Sequence, residues 1–247
     1  MADGGAMLYV YGLVLPDTHV PDQQSGLGQG GVRLVGLGEI AALTSEVPDA
    51  EVVGVPAEIR AYTAVLDGVA AERPVLPMRF GTAVLDEAAM EQAFPIDRRG
   101  ALAGDLHRLD GLAQLTVRAR YVQDAVLAEL ITEDAEVAEL RTFLQGLPTH
   151  AAYHRRIRLG ELVVQGFARK QAGDAAMILD ELAAFAVETR EHETGQVDDV
   201  IELALLVRRT ELAKFEAVLE GLAARAHGRI TFRLVGPQAP YDFVDEE

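Results

Sequence analysis

The residues that could do chemistry in this chain are few, and each fails for a physical reason. Gly26-Leu27-Gly28-Gln29-Gly30-Gly31 carries the glycine pattern of a dinucleotide-binding turn. That turn works by aiming backbone N–H groups and a helix dipole at pyrophosphate, so a helix must follow at once. Here Val32 to Val35 follow and read as a strand, which leaves a glycine loop and no support for nucleotide chemistry. His150 and His154 have the i, i+4 spacing of a metal pair, yet no Glu follows His150, and Arg155, Arg156 and Arg158 crowd the pair with positive charge. The only serines are Ser25, in the glycine loop, and Ser45, before a turn, and neither lies in a GxSxG elbow. Acidic pairs such as Asp198-Asp199 and Glu246-Glu247 read as turn and tail solvation, since an acid and a base need buried, unequal environments. No nucleophile, base and orienter can be assembled. The expectation is a protein without catalysis, cofactor or metal.

Two groups of arginines call for partners instead. Residues 153–160, YHRRIRLG, with Arg169 and Lys170 on the same helical run, form the one basic cluster. Pairing with a neighbouring acidic helix that carries Glu133, Asp134, Glu136 and Glu139 is favoured over an acidic partner surface. Arg79 interrupts the apolar stretch VLPMRFGTAV at 75–84. If buried it needs acceptors, so it is expected to anchor segments of the first half through hydrogen bonds, against the alternative of a strand-end arginine reaching water.

The elements that would position these groups follow from periodicity. MLYVYGLVL at 7–15 is apolar on both faces, which suits a central strand; 17–31 is a polar, glycine-rich loop; 32–47 reads as two short strands around Gly36 to Glu39. Pro56 opens a helix whose Ile59, Tyr62, Leu66 and Val69 share a face. A strand or bent strand at 74–85, a short helix capped by Asp86, and a helix from 96 to 109 complete a domain over 1–110.

The second domain, 111–235, begins with LAQLTVRARY at 112–121, where Leu115, Val117, Ala119 and Tyr121 face inward and Gln114, Thr116, Arg118 and Arg120 face water. Helical segments at 123–145 and 150–185, strands at 187–193 and 199–208, a helix capped by Thr210 and a strand at 230–235 follow. With helix added between its first two strands, this βαββαβ order is the ferredoxin-like, split-βαβ arrangement, and the fold class is α+β in two domains. The tail 236–247 is expected to dock, because Pro237 and Pro240 restrict the chain while Tyr241 and Phe243 would waste apolar area in water. The expected dock is the seam between the domains, near 75–81, with Asp245 to Glu247 solvated.

Composition narrows the partners. The 247 residues include 39 acidic and 22 basic side chains, a formal charge of -17, which repels phosphate backbones and anionic lipid. Nucleic acid and membrane are therefore not expected as partners. There is no cysteine, so thiolate sites and disulfides are absent, and no uncharged run approaches the roughly 20 residues of a membrane span. A soluble cytoplasmic protein is the expectation.

Three stretches together, LYVYGLV at 8–14, VLPMRFGT at 75–82 and GPQAPYDFV at 236–244, resemble the gas vesicle accessory protein family GvpL/GvpF. The family tends to close on Gly-Pro-x-Pro-Pro-Tyr-x-Phe; this chain matches at Gly236, Pro237, Pro240, Tyr241 and Phe243, and carries Gln238 and Ala239 where an apolar residue and a proline are common. The resemblance implies two α+β domains, the second ferredoxin-like, and a non-catalytic accessory role in building gas-filled protein shells. It implies the main hydrophobic shell protein, and other gas vesicle accessory proteins, as partners, and the gas vesicle as a location. Arg79, Phe80 and Gly81, with the matched tail residues, are the expected interaction and structural motif. A ferredoxin-like regulatory module binding a small metabolite is the alternative, since that fold hosts many functions.

Overall fold

The structure, a computed structural model, describes residues 7–20, 26–27, 31–47, 54–148 and 151–244. Two compact units divide the chain. One combines residues 1–115 with 206–210 and 236–247; the other comprises 116–205 and 211–235.

In the first unit β1 (Met7–Val14) lies inside a mixed-length sheet of order β2 (Arg33–Gly36), β3 (Ala41–Val47), β1, β4 (Val75–Pro77), with β5 (Ala83–Val84) also paired to β1. Every described pairing in it is antiparallel. Seven of the eight β1 residues are buried, as an interior strand covered on both faces requires. Its register against β3 slips between Val10 and Gly12, leaving Tyr11 as an extra residue. Such a bulge switches the side-chain parity. Met7 and Tyr9 before it, Tyr11 at it and Val14 after it consequently reach the same apolar cluster.

Helix α1 (Pro56–Ala70) supplies the rest of that cluster. Pro56 opens it without forfeiting a hydrogen bond, and the Glu58 carboxylate turns back to accept from the N–H groups of Gly54 and Val55 at 2.8 and 3.1 Å. Tyr62, Val65, Leu66 and Val69 are buried at the spacing of one helix face. Ile59, expected on that face, is 47% exposed, and Val65 takes its place. At roughly 1.5–3 kcal/mol for each fully buried large side chain, this face outweighs the cap, worth about 1 kcal/mol, in holding the helix. Helices α2 (Glu87–Ala93) and α3 (Ile96–Leu109) follow, the former capped by Asp86, whose carboxylate accepts from Ala89 N–H at 2.7 Å.

The remaining elements are β6 (Leu112–Tyr121), α4 (Gln123–Glu133), α5 (Ala135–Leu144), α6 (Tyr153–Ala183), β7 (Ala186–His192), β8 (Asp199–Arg208), α7 (Leu212–Arg225) and β9 (Ile230–Gln238). Their sheet has the order β7-β8-β6-β9. The helical run expected over 123–145 is two helices. Asp134 ends α4 and caps α5, its carboxylate accepting from Glu136 and Val137 N–H at 3.1 and 3.3 Å, so a side-chain acceptor makes the break that glycine or proline usually marks. Before α6 the chain turns through Ala152 with φ 56°, and the Arg156 guanidinium holds that turn through the carbonyls of Leu147, Pro148 and Ala151 at 3.0–3.2 Å.

The basic cluster pairs within the second unit. Arg158 meets Glu136 at 2.9 and 3.1 Å, Arg169 meets Asp134 at 3.6 Å, and Lys170 meets Glu129 and Glu133 at 2.9 and 2.7 Å. None of the helices among the described residues is long and apolar enough to cross a membrane.

Candidate functional site

The three stretches singled out from the sequence meet on the buried face of α1. From the first, Tyr9 and Tyr11 are fully buried with ring centroids 5.0 Å apart, and Tyr62 of α1 stacks on Tyr11 at 6.1 Å. From the second, Phe80 lies edge-on to Tyr62 at 5.3 Å and to Tyr9 at 6.2 Å, the tilted contacts that ring quadrupoles favour. From the third, Ala239 is part of the same cluster and Tyr241 packs against it.

Hydrogen bonds fix the turn between β4 and β5. The Arg79 carbonyl accepts from Thr82 N–H at 3.1 Å and from its hydroxyl at 2.6 Å, Gly81 sits at φ 92° where a side chain would be strained, and its N–H donates to the Tyr9 hydroxyl at 2.8 Å. The Tyr62 hydroxyl donates to the Met78 carbonyl. The expected bent strand over 74–85 is thus two short strands around a pinned turn.

Arg79 departs from its expected burial. Its side chain is exposed, and what the turn uses is its carbonyl. The buried anchor in this part of the chain is Arg99, 7% exposed, which donates to the carbonyls of Phe94 at 2.7 Å and Leu37 at 3.0 Å and pairs with Glu91 at 2.6 Å. A signal for it existed: Arg99, Ala103, Leu106 and Leu109 form the inward stripe of α3, which puts a guanidinium where an apolar residue would stand. Arg79→Ala should accordingly shift stability by no more than about 0.5 kcal/mol, the scale of surface substitutions, whereas Arg99→Ala should cost several times that; urea denaturation of both variants checks the contrast.

The C-terminal stretch is a built part of the first unit. Gly236 has φ 129°, and a Cβ there would come within 2.8 Å of the Gln114 carbonyl, so only glycine fits. Pro237 is exposed and Pro240 buried. Asp67 of α1 accepts from Ala239 N–H at 2.8 Å, with the Tyr241 hydroxyl 3.5 Å away; burial pushes its carboxyl above the ordinary range, and these two donors oppose the shift. Gln114, read as a water-facing residue of β6, is fully buried. Its amide donates to the Asp242 carboxylate and its carbonyl accepts from Asp242 N–H at 3.0 Å. Tyr241 to Phe243 form a single 3-10 turn, Phe243 is 2% exposed, and Arg108 donates to its carbonyl at 3.1 Å. Asp245 to Glu247 lie outside the described residues.

A groove of about 590 Å³ in the same unit runs between the β4–β5 turn and α3, lined by Leu76, Met78, Phe94 and Leu102, with Arg79 and Val244 on its wall. Ser45, by contrast, is spent on structure: its hydroxyl shares a 2.8 Å hydrogen bond with Tyr11, whose oxygen also accepts from Leu27 N–H at 2.5 Å. Leu27, the one apolar residue of the glycine loop, is buried, while Gly28 to Gly30 lie outside the described residues. Asp199, expected in a solvated turn, is 5% exposed and paired with Arg120 at 2.6 Å. His154 is exposed, His150 lies outside the described residues, and no group of three or more metal-ligating side chains occurs among those described.

The sequence model of the gas vesicle synthesis protein GvpL/GvpF family matches residues 7–245. The chain belongs to the GvpL/GvpF family. Gas vesicle protein F of Streptomyces sp. (strain CB03234) is 28% identical over 241 residues, covering 96% of this chain and 99% of that protein. Among solved structures, gas vesicle protein GvpF from Anabaena sp. PCC7120 superposes with a TM-score of 0.81 at 21% identity, over 98% of this chain and 99% of the other. GvpF from Microcystis aeruginosa does so with a TM-score of 0.77 at 18% identity, over 97% and 99%. The α+β fold is thus shared with GvpF proteins along nearly the whole chain.

Proposed function

We propose that this GvpL/GvpF protein is an accessory factor of gas vesicle assembly that binds the main hydrophobic shell subunit and assists its nucleation. The observation that carries this reading is the family match from residue 7 to residue 245, which leaves almost no part of the chain for a different role. The side chains support it. Ser45 and Asp199, which could have served chemistry, are tied into buried structural contacts. A formal charge of -17 suits a carrier that keeps an aggregation-prone apolar subunit dissolved. The order β7-β8-β6-β9, with helices between the first and second and between the third and fourth strands in sequence, supports a ferredoxin-like second half. Its place would be the cytoplasm and the growing vesicle, among other gas vesicle accessory proteins.

Co-expression with the main shell protein tests this. The shell subunit should move from the pellet to the soluble fraction and be captured with the tagged chain, and a clean deletion strain should make few or no vesicles. A shell subunit that stays insoluble and uncaptured, or normal vesicles in a deletion strain without a paralogue, would refute it.

A further inference from the structure

The second unit carries an open groove of about 490 Å³ where α4, α5 and α6 pack together. Its walls are three helical stripes: Leu127 and Ile131 on α4, Val137, Arg141 and Leu144 on α5, and Leu159, Gly160 and Val163 on α6. Each stripe follows the i, i+3 or i, i+4 spacing of one helix face, so the groove runs along helical ridges and offers the surface that another helix packs against. Gly160 widens it. A Cβ added there meets nothing within 4 Å, although Gly160 lies inside a 31-residue helix where alanine would be the better helix former.

The charge around this groove is the reverse of the protein's own. The chain has a formal charge of -17, yet the charged residues lining the groove are Arg141 and Arg156, with no carboxylate between them. Arg156 is engaged with three backbone carbonyls, whereas the Arg141 side chain is exposed and has no partner among the described residues. Arg155, beside them, stacks on the exposed Phe143 ring at 3.9 Å. The groove of the first unit differs: Asp97 and Asp105 line it together with Arg79, Arg98 and Arg108, so it shows no preference of sign.

From these features we infer that the α4–α5–α6 groove is a docking site for an amphipathic helix of a partner protein, apolar along one face and bearing carboxylates on its flank. The apolar face fills the space over Gly160, Leu127 and Val163, and a flanking carboxylate meets Arg141. This is the helix-in-groove mode, in which apolar anchors at i, i+4 and i+7 supply affinity and the rim charge selects the partner. The assignment stands whether or not the helix comes from the shell subunit, so it can fail independently of the proposed function.

The test uses the full chain and two designed helical peptides with identical leucine stripes, one flanked by glutamates and one by lysines, followed by fluorescence anisotropy. The glutamate peptide should bind with Kd on the order of 10 µM and the lysine peptide about tenfold more weakly, the gap closing in high salt. Gly160→Phe, which fills the groove from a position with room for a side chain, should weaken the glutamate peptide about tenfold or more while leaving the circular dichroism spectrum unchanged. Arg141→Glu should invert the preference between the two peptides. Absence of binding by either peptide, equal binding of both, or an unaltered preference in Arg141→Glu would overturn the inference. So would a dimer of the wild-type chain that Gly160→Phe dissolves, since the occupant would then be a second copy.

Discussion

Phe243→Ala should destabilise the first unit by about 3–5 kcal/mol, the usual cost of emptying a buried phenylalanine site. The ring is 2% exposed, the turn that carries it is held by the paired hydrogen bonds between Gln114 and Asp242, and its carbonyl is held by Arg108. With the whole stability of a domain commonly at about 5–15 kcal/mol, that loss takes a large share of it. Tyr241→Phe removes a hydroxyl that lies 3.5 Å from Asp67 and also meets the Thr63 side chain, and should cost about 1 kcal/mol. Urea denaturation followed by circular dichroism separates the two. A midpoint for Phe243→Ala within error of the wild type would mean that the C-terminal turn rests on the unit without being packed into it.

The second large effect is on alkaline pH. Burial raises the hydroxyl pKa of Tyr9 to about 12 and pushes Tyr11, Tyr62 and Tyr241 upward as well, all four at the same cluster. In the unfolded chain each ionises near its ordinary value of about 10. Above that pH the unfolded state holds fewer protons than the folded one, so stability is intact below about pH 10 and falls as pH rises through the shifted values. Each such tyrosine contributes a slope of about 1.4 kcal/mol per pH unit, and four together contribute about 5–6. The first unit should unfold cooperatively between about pH 10.5 and 12, in step with the tyrosinate absorbance. Tyr62→Phe should reduce the steepness by about one quarter, because one titrating group is gone. Tyrosinate appearing well before the loss of helix would show that the rings are accessible in the folded state.

Much of the fold could be read from the chain because local chemistry and tertiary packing agree there. β1 is apolar on both faces and became an interior strand; Pro56 opened α1; the alternation of Ile230, Phe232 and Leu234 against Thr231 and Arg233 became β9. One misreading comes from a side chain whose partner is far away in sequence. Gln114 looks like a surface residue until Asp242, 128 positions on, covers it. Arg99, which the sequence did not single out, likewise depends on a carbonyl 62 positions away, that of Leu37. Arg79 has apolar neighbours in sequence, but it lies in the turn that Thr82 closes on its carbonyl, and its side chain is exposed. At the candidate site the three stretches were recognisable one by one. Their meeting on α1 was not, since nothing in local spacing places Phe80 and Tyr241 against Tyr62.

The first unit is completed by residues far along the chain: positions 206–210, which interrupt the second unit, and 236–247, which follow it, cluster with residues 1–115. On a ribosome that adds about 5–20 residues each second, the strands and helices of the first unit emerge many seconds before the turn at Tyr241–Phe243 exists to cover Asp67 and Gln114. Until then those two polar groups lack their partners. A chain cut short between residues 115 and 236 would therefore lack the segment that completes the first unit, however well its other parts had folded.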